Sequence, residues 1–136
     1  MSDQRPRQAI RYLRTSDGVR LAWAEAGRGK TLVKAANWLT HLELEWESKV
    51  WRHWIRFLSD HYRFVRYDER GCGMSDWEVG DLGQSRWAAD LEEVVMAADG
   101  AVAAAAADPV ILLGISQGAA PAIELAVRQP ERVSHL

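Results

Sequence analysis

Ser116 sits in Gly114-Ile115-Ser116-Gln117-Gly118, behind the apolar run Val110-Ile111-Leu112-Leu113 and ahead of the small-residue stretch Ala119-Ala120-Pro121-Ala122-Ile123. That order reads as strand, sharp turn and helix, and a Gly-x-Ser-x-Gly in such a turn is a nucleophile elbow. The turn forces the serine into a strained conformation that lifts its hydroxyl above the end of the sheet. The flanking Gly114 and Gly118 are needed because side chains there would collide with the neighbouring strand and helix. The chemistry indicated is acyl transfer through a covalent intermediate on Ser116. Such a hydroxyl is a weak nucleophile until a base takes its proton, and the oxyanion that forms needs N–H donors. The backbone N–H of Gln117 is one donor. It opens the following helix, whose dipole also favours negative charge.

The candidate bases are few. His41 follows the loop Asn37-Trp38-Leu39-Thr40, where the mouth of a cleft, a helix cap or a solvated position all fit. His135 is the one histidine downstream of Ser116, so His41 and His135 are the candidate catalytic histidines. His53 and His61 flank a helix and read as surface residues. Asp68 reads as an acceptor for backbone groups in a glycine-rich turn. Glu124 lies about two turns beyond Ser116 on the same helix, too far along the axis to orient an imidazole. Cys72 has no basic partner in view and reads as a small loop residue. No metal-ligand spacing and no phosphate-cradling loop stands in the sequence, so neither a metal nor a cofactor is expected.

The elements that must position these groups follow from periodicity and breakers. Ala9 to Thr15 and Val19 to Glu25 read as strands, with Asp17-Gly18 as the hairpin turn between them. Thr31 to Ala36 is a third strand. A helix is expected from about Ser48 to Ser59, with Val50, Trp51, Trp54, Ile55 and Leu58 as its buried stripe. Arg63 to Tyr67 is a fourth strand, leading into the glycine-punctuated loop from Asp68 to Asp76. Ser85 is expected to cap a second helix running to about Ala98, with Trp87, Leu91, Val94, Val95 and Ala98 on its apolar face. Ala101 to Ala107 reads as an alanine-rich helix tail or connector. Val110 to Leu113 is the fifth strand, the elbow helix runs to about Gln129, and Val133 opens a sixth strand. An opening hairpin followed by alternating strands and helices predicts an α/β fold with a mostly parallel sheet.

The bulk properties narrow the classes. The 136 residues suit one domain, 1–136, with 48% hydrophobic and 26% charged residues and a net charge of -2. That charge gives no general attraction to nucleic acid or to an anionic membrane. A single cysteine suits a reducing compartment, and neither a signal peptide nor a membrane-spanning run is read. The expectation is a cytoplasmic protein without nucleic-acid or membrane partners. Seven tryptophans promise large aromatic surfaces in a core, a cleft or an interface.

Three blocks in order resemble the α/β-hydrolase family: Leu32-Val33-Lys34-Ala35-Ala36-Asn37-Trp38, the run from Arg66 to Asp76, and Leu112 to Gly118 followed by Gln129-Pro130-Glu131-Arg132-Val133. The resemblance covers nearly the whole chain but only the N-terminal half of that fold. It implies a second oxyanion N–H from the loop after the third strand, at Trp38. It also implies a catalytic acid and a histidine downstream of the serine, and Ser116 lies close to position 136. A serine at the elbow sets the sequence apart from the haloalkane dehalogenase and epoxide hydrolase branches, which use aspartate there. The implied activity is a carboxylesterase- or lipase-like serine hydrolase acting on a small-molecule ester. The alternative is a non-catalytic remnant of such a domain, serving in binding or association. A fifth strand barely paired on one side would favour a homo-oligomer or a complementary fragment, which could also bring the missing histidine and acid.

Overall fold

The structure is a computed structural model that describes residues 7–100 and 108–136. Six strands form one sheet: β1 (Ala9–Arg14), β2 (Arg20–Ala26), β3 (Thr31–Lys34), β4 (Arg63–Tyr67), β5 (Val110–Leu113) and β6 (Val133–His135). Their spatial order is β1-β2-β4-β3-β5-β6. β1 and β2 form the antiparallel hairpin, β2 meets β4 antiparallel, and every later pairing is parallel. β5 is paired on both sides, through Leu32↔Ile111 with β3 and Val110↔Val133 with β6, the latter with a register irregularity.

Alternation along the strands sends apolar side chains to both faces, as a sheet covered on both sides requires. Val33, Val65, Val110 and Leu112 join Leu91, Val94 and Val95 of α3 (Gln84–Ala98) and Ala122 and Leu125 of α4 (Ala119–Arg128). On the other face Leu32 and Phe64 pack on Ile55 of α2 (Arg52–His61), and Ala22 and Ala24 pack on Leu42. The α/β architecture expected from the sequence, an opening hairpin and a mostly parallel sheet with flanking helices, is therefore present.

Several boundaries differ from the sequence reading. Leu42–Glu47 forms a short helix, α1, whose N-cap is His41. The next helix starts at Arg52 rather than Ser48, because the Ser48 hydroxyl accepts from Val50 N at 3.1 Å and Trp51 N at 3.4 Å and closes a local turn instead. Val50 therefore precedes the helix and is exposed, as is Trp54, leaving Ile55 as the buried anchor. Gly83, not Ser85, is the N-cap of α3, and Asp81 accepts from Gly83 N in the turn ahead of it. β3 ends at Lys34, although Ala35 N still donates to Leu113 O at 2.9 Å. The alanine-rich stretch 101–107 lies outside the described residues. Among the described residues no helix is long and apolar enough to cross a membrane.

Candidate active site

Ser116 has φ 54°, a left-handed conformation that non-glycine residues avoid. It begins a single 3-10 turn, Ser116–Gly118, between β5 and α4, and its side chain is exposed. The flanking glycines have direct steric reasons. A Cβ on Gly114 would lie 2.8 Å from Ala119 Cα, in the elbow helix. A Cβ on Gly118 would lie 2.8 Å from Ala35 O and 2.9 Å from Ala36 O, at the exit of β3. The start of the elbow helix is thus pressed against the backbone that leads to Trp38. The two segments bearing Gln117 and Trp38 lie side by side, and both residues line one cleft of ≈ 310 Å³ together with Glu69, Cys72, Leu82 and Trp87.

The loop after β3 is held in an uncommon shape. Leu39, next to Trp38, has φ 62°. Strain of this kind persists only where the surroundings over-determine it. Lys34, at the end of β3, donates its ammonium to Asn37 Oδ1. Fully buried Asp68 accepts from Thr40 Oγ1 at 2.7 Å, Leu42 N at 3.1 Å and Met74 N at 2.8 Å. Gly73 comes so close to the Asp68 carboxylate that a Cβ there would strike it. The expected role of Asp68 in its own turn is present through Met74, and it also ties that turn to the Trp38 loop.

Arg70, which also lines the cleft, is held in a buried salt-bridge cluster. Its guanidinium donates to Asp90 at 2.7 and 2.9 Å and to Asp17 at 2.8 and 2.9 Å, and Arg86 reinforces Asp90 at 3.3 Å. The Arg70 hydrogen bond holds the Asp17 carboxyl well below the usual carboxylate range. Glu69 differs. Its Oε1 accepts from Gln117 Nε2 at 3.0 Å, while its buried Oε2 has no partner among the described residues. Burial, and next the negative charge of Asp90, push Glu69 up to about 7, against the lowering effect of the Gln117 hydrogen bond.

His41 Nδ1 accepts from Leu44 N at 3.3 Å as the cap of α1. His61 Nδ1 lies 2.8 Å from Phe57 O, and His53 is exposed on α2. His135 is exposed on β6, its Nδ1 3.1 Å from Ser134 Oγ. Among the described residues no imidazole is hydrogen-bonded to Ser116. Glu124 pairs with Arg128 at 3.6 Å on the outer face of α4. Cys72 is half-buried, and burial raises its thiol pKa, which suits an inert loop residue. No group of three or more His, Cys, Asp or Glu able to hold a metal is present among the described residues.

Glu69, Trp87 and Asp90 around the cleft were not singled out by sequence reasoning as site residues. One signal was available for Asp90: it falls on the helical face of Trp87, Leu91 and Val94, where a lone acid among apolar residues asks for a buried partner.

Comparison with known proteins fits this geometry. The α/β hydrolase fold family matches residues 41–136. RutD of Agrobacterium fabrum, whose name describes it as a carbamate hydrolase, is 32% identical over 109 residues, covering 79% of this chain and 39% of RutD. A hydrolase from Pseudomonas aeruginosa superposes with a TM-score of 0.73 at 28% identity, over 91% of this chain and 43% of that one. Cfl2 from Burkholderia cenocepacia superposes at 0.69 and 26% identity, over 93% and 39%. The chain therefore spans about two fifths of the length of these relatives.

Proposed function

The chain belongs to the α/β-hydrolase fold family, and from that premise we propose that it carries the nucleophile half of a serine hydrolase that cleaves carboxylic esters through an acyl-enzyme at Ser116. The observation that carries this reading is the left-handed Ser116, at φ 54°, exposed at the end of β5. Nothing in the packing of a plain turn calls for a β-carbon there, and strain is kept where it serves a reaction. Attack by Ser116 Oγ on the ester carbonyl breaks the bond to the alcohol and leaves the acyl group on the serine. Water then releases the acid. The Gln117 and Trp38 backbone N–H groups hold the oxyanion of each tetrahedral intermediate. Carbamate cleavage, the reaction in RutD's name, uses the same attack on a carbonyl and belongs to the same reading.

His41 is committed to its cap and His135 to the outer strand, so in this reading the proton acceptor comes from polypeptide that joins this part of the fold, within one chain or from a second. Association with a copy or a complementary fragment is one way to supply it. A cytoplasmic setting suits the single reduced cysteine.

Covalent labelling by a fluorophosphonate tests the proposal. Joined to the polypeptide that supplies the base, the protein should label, and Ser116→Ala should lose the label while keeping its circular dichroism spectrum. Absence of labelling together with absence of ester turnover would favour the alternative, a domain that binds or associates without catalysis.

A further inference from the structure

Two polar atoms at the floor of the cleft lack partners among the described residues: Glu69 Oε2 and Trp87 Nε1. Both residues line the main cleft and also a smaller adjoining recess, which Ala36, Tyr67, Asp90, Gln117 and Pro121 complete. Glu69 is only 5% exposed. A buried carboxyl oxygen and a buried indole N–H left unpaired cost on the order of 1–3 kcal/mol each. Elsewhere around the loop the chain leaves little to chance. Asp68 fills both carboxylate oxygens, and Arg70 is saturated by Asp17, Asp90 and the Asp81 carbonyl. Of the four buried side-chain polar atoms left unpaired among the described residues, Ser59 Oγ and Gln129 Oε1 belong to residues that do not line the cleft. The two that remain are complementary once Glu69 is ionised, since an indole N–H only donates and a carboxylate only accepts.

We propose that Glu69 and Trp87 form a polar recognition subsite in the cleft lined by Trp38 and Gln117, next to Ser116 in the chain, which takes an uncharged group carrying a hydrogen-bond donor beside an acceptor, such as a primary amide or carbamate. Both atoms are covered in the free protein, so on binding the two side chains turn towards the cleft; the ligand oxygen then accepts from Trp87 Nε1 and its N–H donates to ionised Glu69 Oε2. A carboxylate ligand would offer acceptors alone and leave ionised Glu69 Oε2 without a donor. A compact cation would satisfy Glu69 but leave the indole N–H unpaired. Gln117 joins the two functions, because its side chain fixes the Glu69 carboxyl while its backbone N–H faces the reacting carbonyl. The ≈ 310 Å³ cleft is at the small end of ligand pockets, which suits a compact polar group. The inference rests on the proposed function only for the substrate context, and its test reads binding alone.

The test is a titration at pH 8, above the Glu69 value of about 7, of the protein, labelled with nitrogen-15 at tryptophan, with acetamide, methyl carbamate and acetone. The Trp87 indole resonance is identified by its loss in Trp87→Phe. Acetamide and methyl carbamate should shift that resonance saturably, and acetone, which lacks the donor, should bind at least 10-fold more weakly. Glu69→Leu should reduce acetamide affinity about 10-fold. If that variant does not fold, the acetamide-to-acetone ratio in the unaltered protein decides alone. Equal shifts from acetamide and acetone, or no saturable shift from either amide-type probe, would overturn the subsite. Binding, with neither fluorophosphonate labelling nor ester turnover once the polypeptide that supplies the base is joined, would retain the subsite and reject the hydrolase reading.

Discussion

Asp68 and Glu69 leave the same strand one residue apart and meet opposite surroundings. Asp68 is enclosed by three donors from two loops, so its charge is spent on architecture. Glu69 has one donor, Gln117, and a second oxygen with none. Arg70, next in the chain, returns to the first pattern, held by two acids. The difference separates a brace from a site. Where a buried polar group is fully paired, its removal costs stability. Where it is half-paired beside a cleft, its free valence is available to a ligand, and its burial is a stability cost carried by the folded protein.

The largest expected effect is on the brace. Arg70→Met leaves Asp90 buried without its bidentate partner, and such a loss costs about 3–5 kcal/mol. Adding Asp90→Leu should recover at least half of it, since the uncompensated charge disappears. Urea unfolding of the two variants checks this, and additive losses would mean that Arg70 acts through packing alone. Asp68→Ala should follow at about 2–4 kcal/mol, because the Leu42 and Met74 backbone N–H groups lose their acceptor at roughly 1–3 kcal/mol each. If Asp68→Ala proved neutral in the same assay, the contrast between the adjacent acids would collapse.

Much of the frame around these residues was legible from sequence. The Asp17-Gly18 turn, the apolar runs from Arg63 to Tyr67 and from Val110 to Leu113, and the glycines about Ser116 are local signals, and the hairpin, the mostly parallel sheet and the tight turn at Ser116 follow from them. Helix starts were less legible. Ser48 and Ser85 are both good caps by type, yet Ser48 closed a turn and Gly83 preceded α3. The choice depends on which backbone N–H the rest of the fold leaves free. His41 shows the same limit: its ring serves α1, a helix too short to announce itself by periodicity. Least legible was the division of labour among Asp68, Glu69 and Arg70. Their partners lie on the Thr40 loop, on α3 and at Gln117, and nothing within the run itself says which charge will be paired.

The smallest effect separates the two regions by the sign of their pH response. Asp17 has its proton affinity lowered by Arg70, so its contribution is present above its ordinary value of 3.8 and is lost as the pH falls below it. Glu69 is shifted the other way, from 4.5 to about 7, mainly by burial and next by Asp90. Between those values the folded protein keeps a proton that the unfolded chain has released. Unfolding then releases protons, and stability declines as the pH rises from 4.5 to about 7, with Glu69 contributing nothing further to the slope on either side. The decline should amount to about 1–3 kcal/mol, and Glu69→Gln should flatten it, gaining stability at pH 8 relative to the unaltered protein. Urea midpoints at pH 5 and pH 8 for both proteins provide the measurement. An unchanged slope in Glu69→Gln would show that the folded protein does not carry Glu69 as a strained acid, and the carboxyl would then join Asp68 among the braces.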